Sequence, residues 1–286
     1  MSTPTLLPRF LVPALIVAAS LLPSPATAAD LLTLNPGDHI AIIGNNLADR
    51  MQHHGWLETY LQAEFAQHRL SIRNLGFTGD EVKTRPRSAD FGNPDQWLTK
   101  VKADVVLCFF GYNEALRGDA GLAGFRKDLA GMLTGMKAQK YNGKSAPRLV
   151  VFSPIAHENL NSHNLPDGSK NNRNLAIYSK AMKQVCDAQG ISFVDLFGSS
   201  RQLYAENSTY LTLNGIHLLD HGNRLLAGVI MRQLFGDARS TLRESAEIDR
   251  LRAAVLEKSY HWFSRYRVVD GYNVFGGRSR LAWFGQ

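Results

Sequence analysis

Five short apolar runs, each separated from the next by residues of helical period, constrain most strongly how this chain of 286 residues folds. Residues 39–44, 70–75, 105–111, 148–153 and 191–196 read as strands. After the first run, Leu47, Met51, Leu57, Leu61 and Phe65 recur at helical spacing, with Trp56 and Tyr60 widening the stripe. Further helices are predicted at 95–102, 122–136, 174–189 (with Gly190 as its C′ residue) and 218–235. Continuously apolar strands alternating with helices imply a parallel sheet covered on both faces. Right-handed crossovers then give an α/β, three-layer αβα sandwich: a flavodoxin-like, doubly wound parallel sheet of about five strands. A composition of 44% hydrophobic and 20% charged residues is enough for one large core.

The two ends of the chain read differently from this body. Residues 1–29 have the pattern of a signal peptide, with Arg9 as the positive region, an apolar run at 10–22 broken by Pro13, and Ala26-Thr27-Ala28 as the cleavage site. A membrane anchor is the alternative, but the run is short for a bilayer. The expectation is an exported protein, periplasmic or extracellular, with no membrane span in the mature chain. Residues 30–238 form the α/β body, and 239–286 form a C-terminal extension. In the extension a charged helical stretch at 242–257 precedes a tail with Tyr260, Trp262, Phe263, Tyr266, Tyr272, Phe275, Trp283 and Phe284. So many aromatics either wrap the body or make residues 260–286 a surface for a protein partner. The net charge is +7, and residues 239–286 carry nine Lys/Arg against five Asp/Glu. No nucleic-acid motif accompanies that excess, so no nucleic-acid partner is expected. Cys108 and Cys186 form one disulfide or remain as two buried thiols. No Cys/His spacing suggests zinc, and His53 and His54 diverge on their helix, so neither metal nor cofactor is expected.

In open α/β sheets, ligands bind beyond the carboxyl ends of the strands. Four short blocks fall there or just before the last helix: Gly44-Asn45-Asn46-Leu47, Asn74-Leu75-Gly76-Phe77-Thr78-Gly79, Gly111-Tyr112-Asn113-Glu114 and Asn214-Gly215-Ile216-His217. In order and separation they resemble the blocks of the SGNH/GDSL hydrolases, over residues 38–235, with Gly222 where the last helix of that family often carries glycine. The resemblance implies ester-bond hydrolysis on acylated carbohydrates. It places a nucleophile at position 46, a general base at His217 and its acid at position 214. The oxyanion donors would be the Asn46 N–H, the Gly76 N–H and the Asn113 amide.

Two of those positions depart from the pattern. Asn46 stands where the nucleophilic Ser belongs, and an amide has no useful nucleophilicity. Asn214 replaces the Asp, and the equivalent change alone costs a serine protease about 10⁴ in turnover. Ordinary Ser-His-Asp turnover is therefore not expected. Thr78 offers a substitute hydroxyl or is a turn residue, and Glu114 and Asp80 are loop carboxylates that would serve His217 or stay on the rim. The polar residues of the 153–174 loop, His157 among them, suit a sugar ligand or bond to one another. Arg85 and Arg87 would meet an anionic substrate or sit in solvent. Three readings remain: an esterase-like hydrolase with altered chemistry, a catalytically silent module that binds a small-molecule or carbohydrate ligand, and an interaction module docking through its aromatic tail.

Overall fold

The computed structural model describes residues 1, 31–236, 245–267 and 271–282. The leader read from residues 1–29 lies, apart from Met1, outside them, as do Trp283 and Phe284. Five strands, β1 His39–Gly44, β2 Ser71–Asn74, β3 Val105–Phe109, β4 Arg148–Phe152 and β5 Ser192–Val194, pair in the order β2-β1-β3-β4-β5. Every pairing is parallel. This is the flavodoxin-like doubly wound order.

Strand periodicity divides the core in two. Ile40, Ile42, Val105, Leu107, Phe109, Val150 and Phe152 point to one face and Ala41, Ile43, Val106, Cys108, Leu149 and Val151 to the other. Helices α1 Asn46–His54, α2 Trp56–Glu64 and α8 Asp220–Phe235 cover the first face. Helices α3 Pro94–Lys100, α5 Gly118–Lys137 and α6 Ser169–Gln189 cover the second, with the short α4 Tyr112–Ala115 at the sheet's carboxyl end. The single apolar stripe from Leu47 to Phe65 is two helices in the fold. Gly55 adopts φ 72° and its N–H caps the Met51 carbonyl, turning the chain where an L-residue would be strained. Helix α7 Leu196–Glu206, which follows β5 directly, is not among the predicted helices, and Asp195 starts it by accepting the Gly198 N–H at 3.0 Å. Cys108 and Cys186 are both buried and unpaired. Among the described residues no helix is long and apolar enough to cross a membrane.

The helical stretch of the extension runs further than its charged pattern indicated, as α9 Ala246–Tyr266, and continues into the aromatic segment. It packs on α1, α2 and the edge strand β2. The outward carbonyls of β2, two residues apart, are taken up by this helix. Lys258 Nζ donates to the Ile72 carbonyl at 3.2 Å and Trp262 Nε1 to the Asn74 carbonyl at 2.6 Å. The Tyr266 hydroxyl donates to the Leu75 carbonyl at 3.2 Å. An edge strand exposes unpaired backbone groups, and here side chains of the extension satisfy them. Trp262 and Phe275 pack against the body, Tyr266 is 4% exposed, and Tyr260 and Tyr272 face solvent. Truncating Tyr266 removes a buried aromatic ring together with its hydrogen bond. Tyr266→Ala is expected to cost about 3 kcal/mol in urea denaturation; a loss under about 1 kcal/mol would mean that the extension adds nothing to the core.

Candidate functional site

The site begins where β1 joins α1. Gly44 has φ 144°, and a Cβ there would lie 2.1 Å from the Phe109 carbonyl oxygen, so only glycine lets β1 end this close to β3. The Asn45 N–H donates to that same carbonyl at 3.0 Å. Asn45 then occupies the N-cap of α1, yet its side chain caps nothing. It is 2% exposed, and its Nδ2 has no hydrogen-bond partner. The first-turn N–H groups of α1 lack a side-chain acceptor as well.

Asn45 and Asn46 line a narrow cavity together with Phe110, Tyr112, Ser153 and Ile216, among others, with about 30 Å³ of free space. That is room for one or two water-sized groups. Ser153 was not among the residues the sequence singled out. Ser153 lines this cavity, and its hydroxyl is fixed by the α7 N-terminus, accepting the Leu196 and Phe197 N–H groups at 2.9 Å each. Thr78, the substitute hydroxyl considered from sequence, donates to the buried Asp49 at 2.6 Å.

The fourth block reaches the cavity through Ile216, with His217 next in the chain. The Asn214 side chain accepts the His217 N–H at 3.1 Å and so holds the turn. No hydrogen bond reaches the His217 ring among the described residues. Burial and the nearby Arg50 cation lower its pKa below the ordinary 6.5. The carboxylates considered for it are bonded elsewhere: Glu114 accepts the Val82 and Gly111 N–H groups at 2.8 and 2.9 Å, and Asp80 holds Arg87 through both oxygens.

Two donors expected for an oxyanion are occupied by the chain itself. The Gly76 N–H donates to Asn74 Oδ1 at 2.8 Å, while Asn74 Nδ2 donates to the Ala48 carbonyl at 2.6 Å. The Asn113 amide donates to the Thr78 and Asp80 carbonyls at 3.2 and 3.1 Å. A ligand oxygen has to displace these bonds or use the donors of Asn45 and α1. The 153–174 loop bonds largely to itself. His157 is 6% exposed; its ring pairs with Asn171 at 3.1 Å and its backbone exchanges two 2.8 Å bonds with Asn172, so it is not on a rim. The adjacent Glu158, which the sequence reading did not single out, is buried. It accepts the Leu211 and Thr212 N–H groups and the Thr212 hydroxyl, which fixes the segment leading into Asn214. Arg85 and Arg87 line a separate cavity sharing no lining residue with the first. Among the described residues no three His, Cys, Asp or Glu side chains cluster as metal ligands.

Residues 37–225 match the sequence profile of the GDSL-like Lipase/Acylhydrolase family. The chain belongs to that family. A sequence comparison with curated proteins gives no match. Solved structures share the fold at low identity. An acetylxylan esterase from Geobacillus stearothermophilus, solved as a catalytic mutant, superposes with a TM-score of 0.55 at 16% identity, over 75% of this chain and 100% of the esterase. An α/β hydrolase enzyme from the metagenome of Lake Arreo, Spain, gives 0.52 at 18%, over 74% and 99%. A gut microbial diltiazem-metabolizing enzyme gives 0.55 at 16%, over 72% of this chain; the chain spans only 48% of that protein. The match to the GDSL-like family ends within α8. The extension that covers β2 and supplies Tyr266 lies beyond it.

The pKa values of His217, His157 and His53 are all lowered, burial being the largest cause in each. Below about pH 6.5 the unfolded chain therefore binds protons that the folded chain resists, and stability falls as the pH drops. The His217 ring is expected to titrate below 6.5 by NMR, and Arg50→Met to move its midpoint upward. A midpoint at or above 6.5 would show a ring that is solvated or paired with an acid.

Proposed function

We propose that this GDSL-like protein binds a carbonyl- or carboxylate-bearing ligand at the α1 N-terminus without cleaving it through an acyl-enzyme. The acetyl group of an acylated carbohydrate is the ligand class this reading favours, and the leader-like N-terminus would deliver the protein to the periplasm or the exterior. One observation carries the proposal: the Asn45 amide is buried at the mouth of an uncapped helix, with its Nδ2 unpartnered. A buried donor without an acceptor costs about 1–3 kcal/mol. A ligand oxygen placed there removes that cost and meets the positive end of the α1 dipole. The cavity accepts a small oxygen-bearing group and leaves the rest of a larger ligand outside.

The residues that remain support binding more than turnover. Asn46 supplies an amide donor and acceptor in place of a hydroxyl nucleophile. Asn214 is committed to the backbone of its turn and cannot supply the negative charge that stabilises a protonated His217. The acetylxylan esterase named above shares the fold and supports the acyl-ligand class by analogy only.

Acetate is expected to raise the melting temperature of the intact chain, since only the folded state offers the site. Asn45→Ala is expected to weaken acetate binding by about 1–3 kcal/mol in calorimetry. Wild-type hydrolysis of p-nitrophenyl acetate should stay at background and be unchanged by His217→Ala. Asn46→Ser combined with Asn214→Asp should gain more than the two single changes together, because the groups act as a unit. An Asp at 214 still accepts the turn N–H bonds, so the loop is preserved. Wild-type turnover abolished by His217→Ala would establish a working hydrolase and refute the proposal.

A further inference from the structure

A second cavity, of about 350 Å³, shares no lining residue with the first, though its Arg85 lies over the ring of Phe110, which lines the first. The loop between β2 and α3 provides Asp80, Arg85, Arg87 and Phe91, and α3 provides Trp97. Tyr266 of α9 forms another wall, and Phe275 backs Phe91 with ring centroids 5.3 Å apart. The extension thus completes a cavity that the family-matched residues leave open.

The charges in this cavity do not balance. Asp80 binds Arg87 bidentately at 2.7 and 2.8 Å, and the Arg87 guanidinium also lies 3.5 Å from the Phe77 ring centroid. Both partners are therefore committed. Arg85 has no carboxylate of its own. Its Nη2 meets the Met132 sulfur at 3.0 Å, its guanidinium lies over the Phe110 ring at 4.9 Å, and its Nε is buried with no partner. Burial opposes its charge; Asp80 favours it from a distance while bonded to Arg87, which repels it, and Cys108, whose thiol burial pushes up to about 12, and Tyr266, also raised, are neutral. Arg85 is thus a cation at neutral pH whose surroundings supply a soft sulfur and a ring face, in a site where a bare charge is costly. Three aromatic side chains, Phe91, Trp97 and Tyr266, line the cavity beside Ser88 and Asn93, and the polar atoms of Trp97 and Tyr266 are spent. Trp97 Nε1 donates to the Phe91 carbonyl at 2.8 Å and the Tyr266 hydroxyl to the Leu75 carbonyl.

We infer that the cavity closed by the C-terminal extension binds a small organic carboxylate carried on a six-membered ring, with Arg85 as its counter-ion and Phe91, Trp97 and Tyr266 against the ring. The guanidinium fork matches a carboxylate, and aromatic walls suit either a benzene ring or the apolar face of a sugar acid. The inference is independent of the acyl-ligand reading, because the two cavities share no lining residue.

The test uses the full chain carrying Asn45→Ala, which weakens binding at the first cavity, with and without Arg85→Gln; dependence on Arg85 assigns binding to the second. Thermal shift and calorimetry are run with sodium benzoate, sodium glucuronate, benzamide, glucose and sodium sulfate. At least one ring carboxylate is expected to bind and to lose ten-fold or more in affinity with Arg85→Gln, while Arg85→Lys retains part of the binding. Benzoate and glucuronate distinguish an aromatic from a sugar acid. The neutral analogues and sulfate are expected to bind at least ten-fold more weakly. Removing an unpaired buried cation leaves the fold intact, which a cooperative melt of Arg85→Gln checks. Failure of both carboxylates, binding undiminished in Arg85→Gln, or equal binding of benzamide or sulfate would overturn the inference.

Discussion

The join between β1 and α1 is the constraint on which the rest of the site depends. β1 runs against β3 down to its last residue, and Gly44 lets the two backbones meet where any side chain would strike the Phe109 carbonyl. The chain then turns straight into α1, aiming the helix N-terminus across the carboxyl end of the sheet. Asn45 is buried by that turn, not by any hydrogen bond of its own side chain. An unpaired buried amide is tolerated because the surrounding contacts are strong. β3, between β1 and β4, is fully buried, and Phe109 stacks on Phe152 at 4.2 Å.

A second set of contacts holds the neighbouring loops in register with this helix. Asn74, at the end of β2, spans the Gly76 N–H and the Ala48 carbonyl, so the second block is tied to α1. The Trp262 indole bonds to the backbone of the same Asn74, and Arg267 pairs with Asp49 on α1 at 3.0 Å. The extension is therefore coupled to both cavities: it steadies the β2 edge beside one and forms a wall of the other. Asp49 accepts bonds from Thr78, Gln52 and Arg267, which makes the second block and the extension share one buried carboxylate.

Much of this was legible in the sequence because burial leaves a period. The five strands fall within a few residues of the apolar runs, and the order of motif blocks along the chain gave the family and the topology. What was hidden depends on contacts between distant residues. Gly55 splits α1 from α2 through its left-handed φ, and α9 packs over the break, with a Leu256 methyl 3.1 Å from where a Cβ would stand. Gly76 and Asn113 keep the residue types expected of oxyanion donors, but type does not reveal that Asn74, Thr78 and Asp80 take up their hydrogens. His157 looked like a rim residue because it lies in a polar loop, and Asn171 and Asn172 draw it inward. Ser153 and Glu158 carried no motif and emerge only from the fold. Tyr266, outside every block, became a cavity wall through the path of α9.

The central claim is that the α1 N-terminus and the Asn45 amide form an oxygen-binding site that lacks a nucleophile. The most direct measurement is a crystal structure of the full chain soaked in acetate. The account predicts an intact acetate with one oxygen within hydrogen-bond distance, about 2.7–3.2 Å, of Asn45 Nδ2 and the first N–H groups of α1. An empty cavity at saturating acetate, or acetate bound by Gly76 and Asn113 with Asn45 still unpaired, would contradict it.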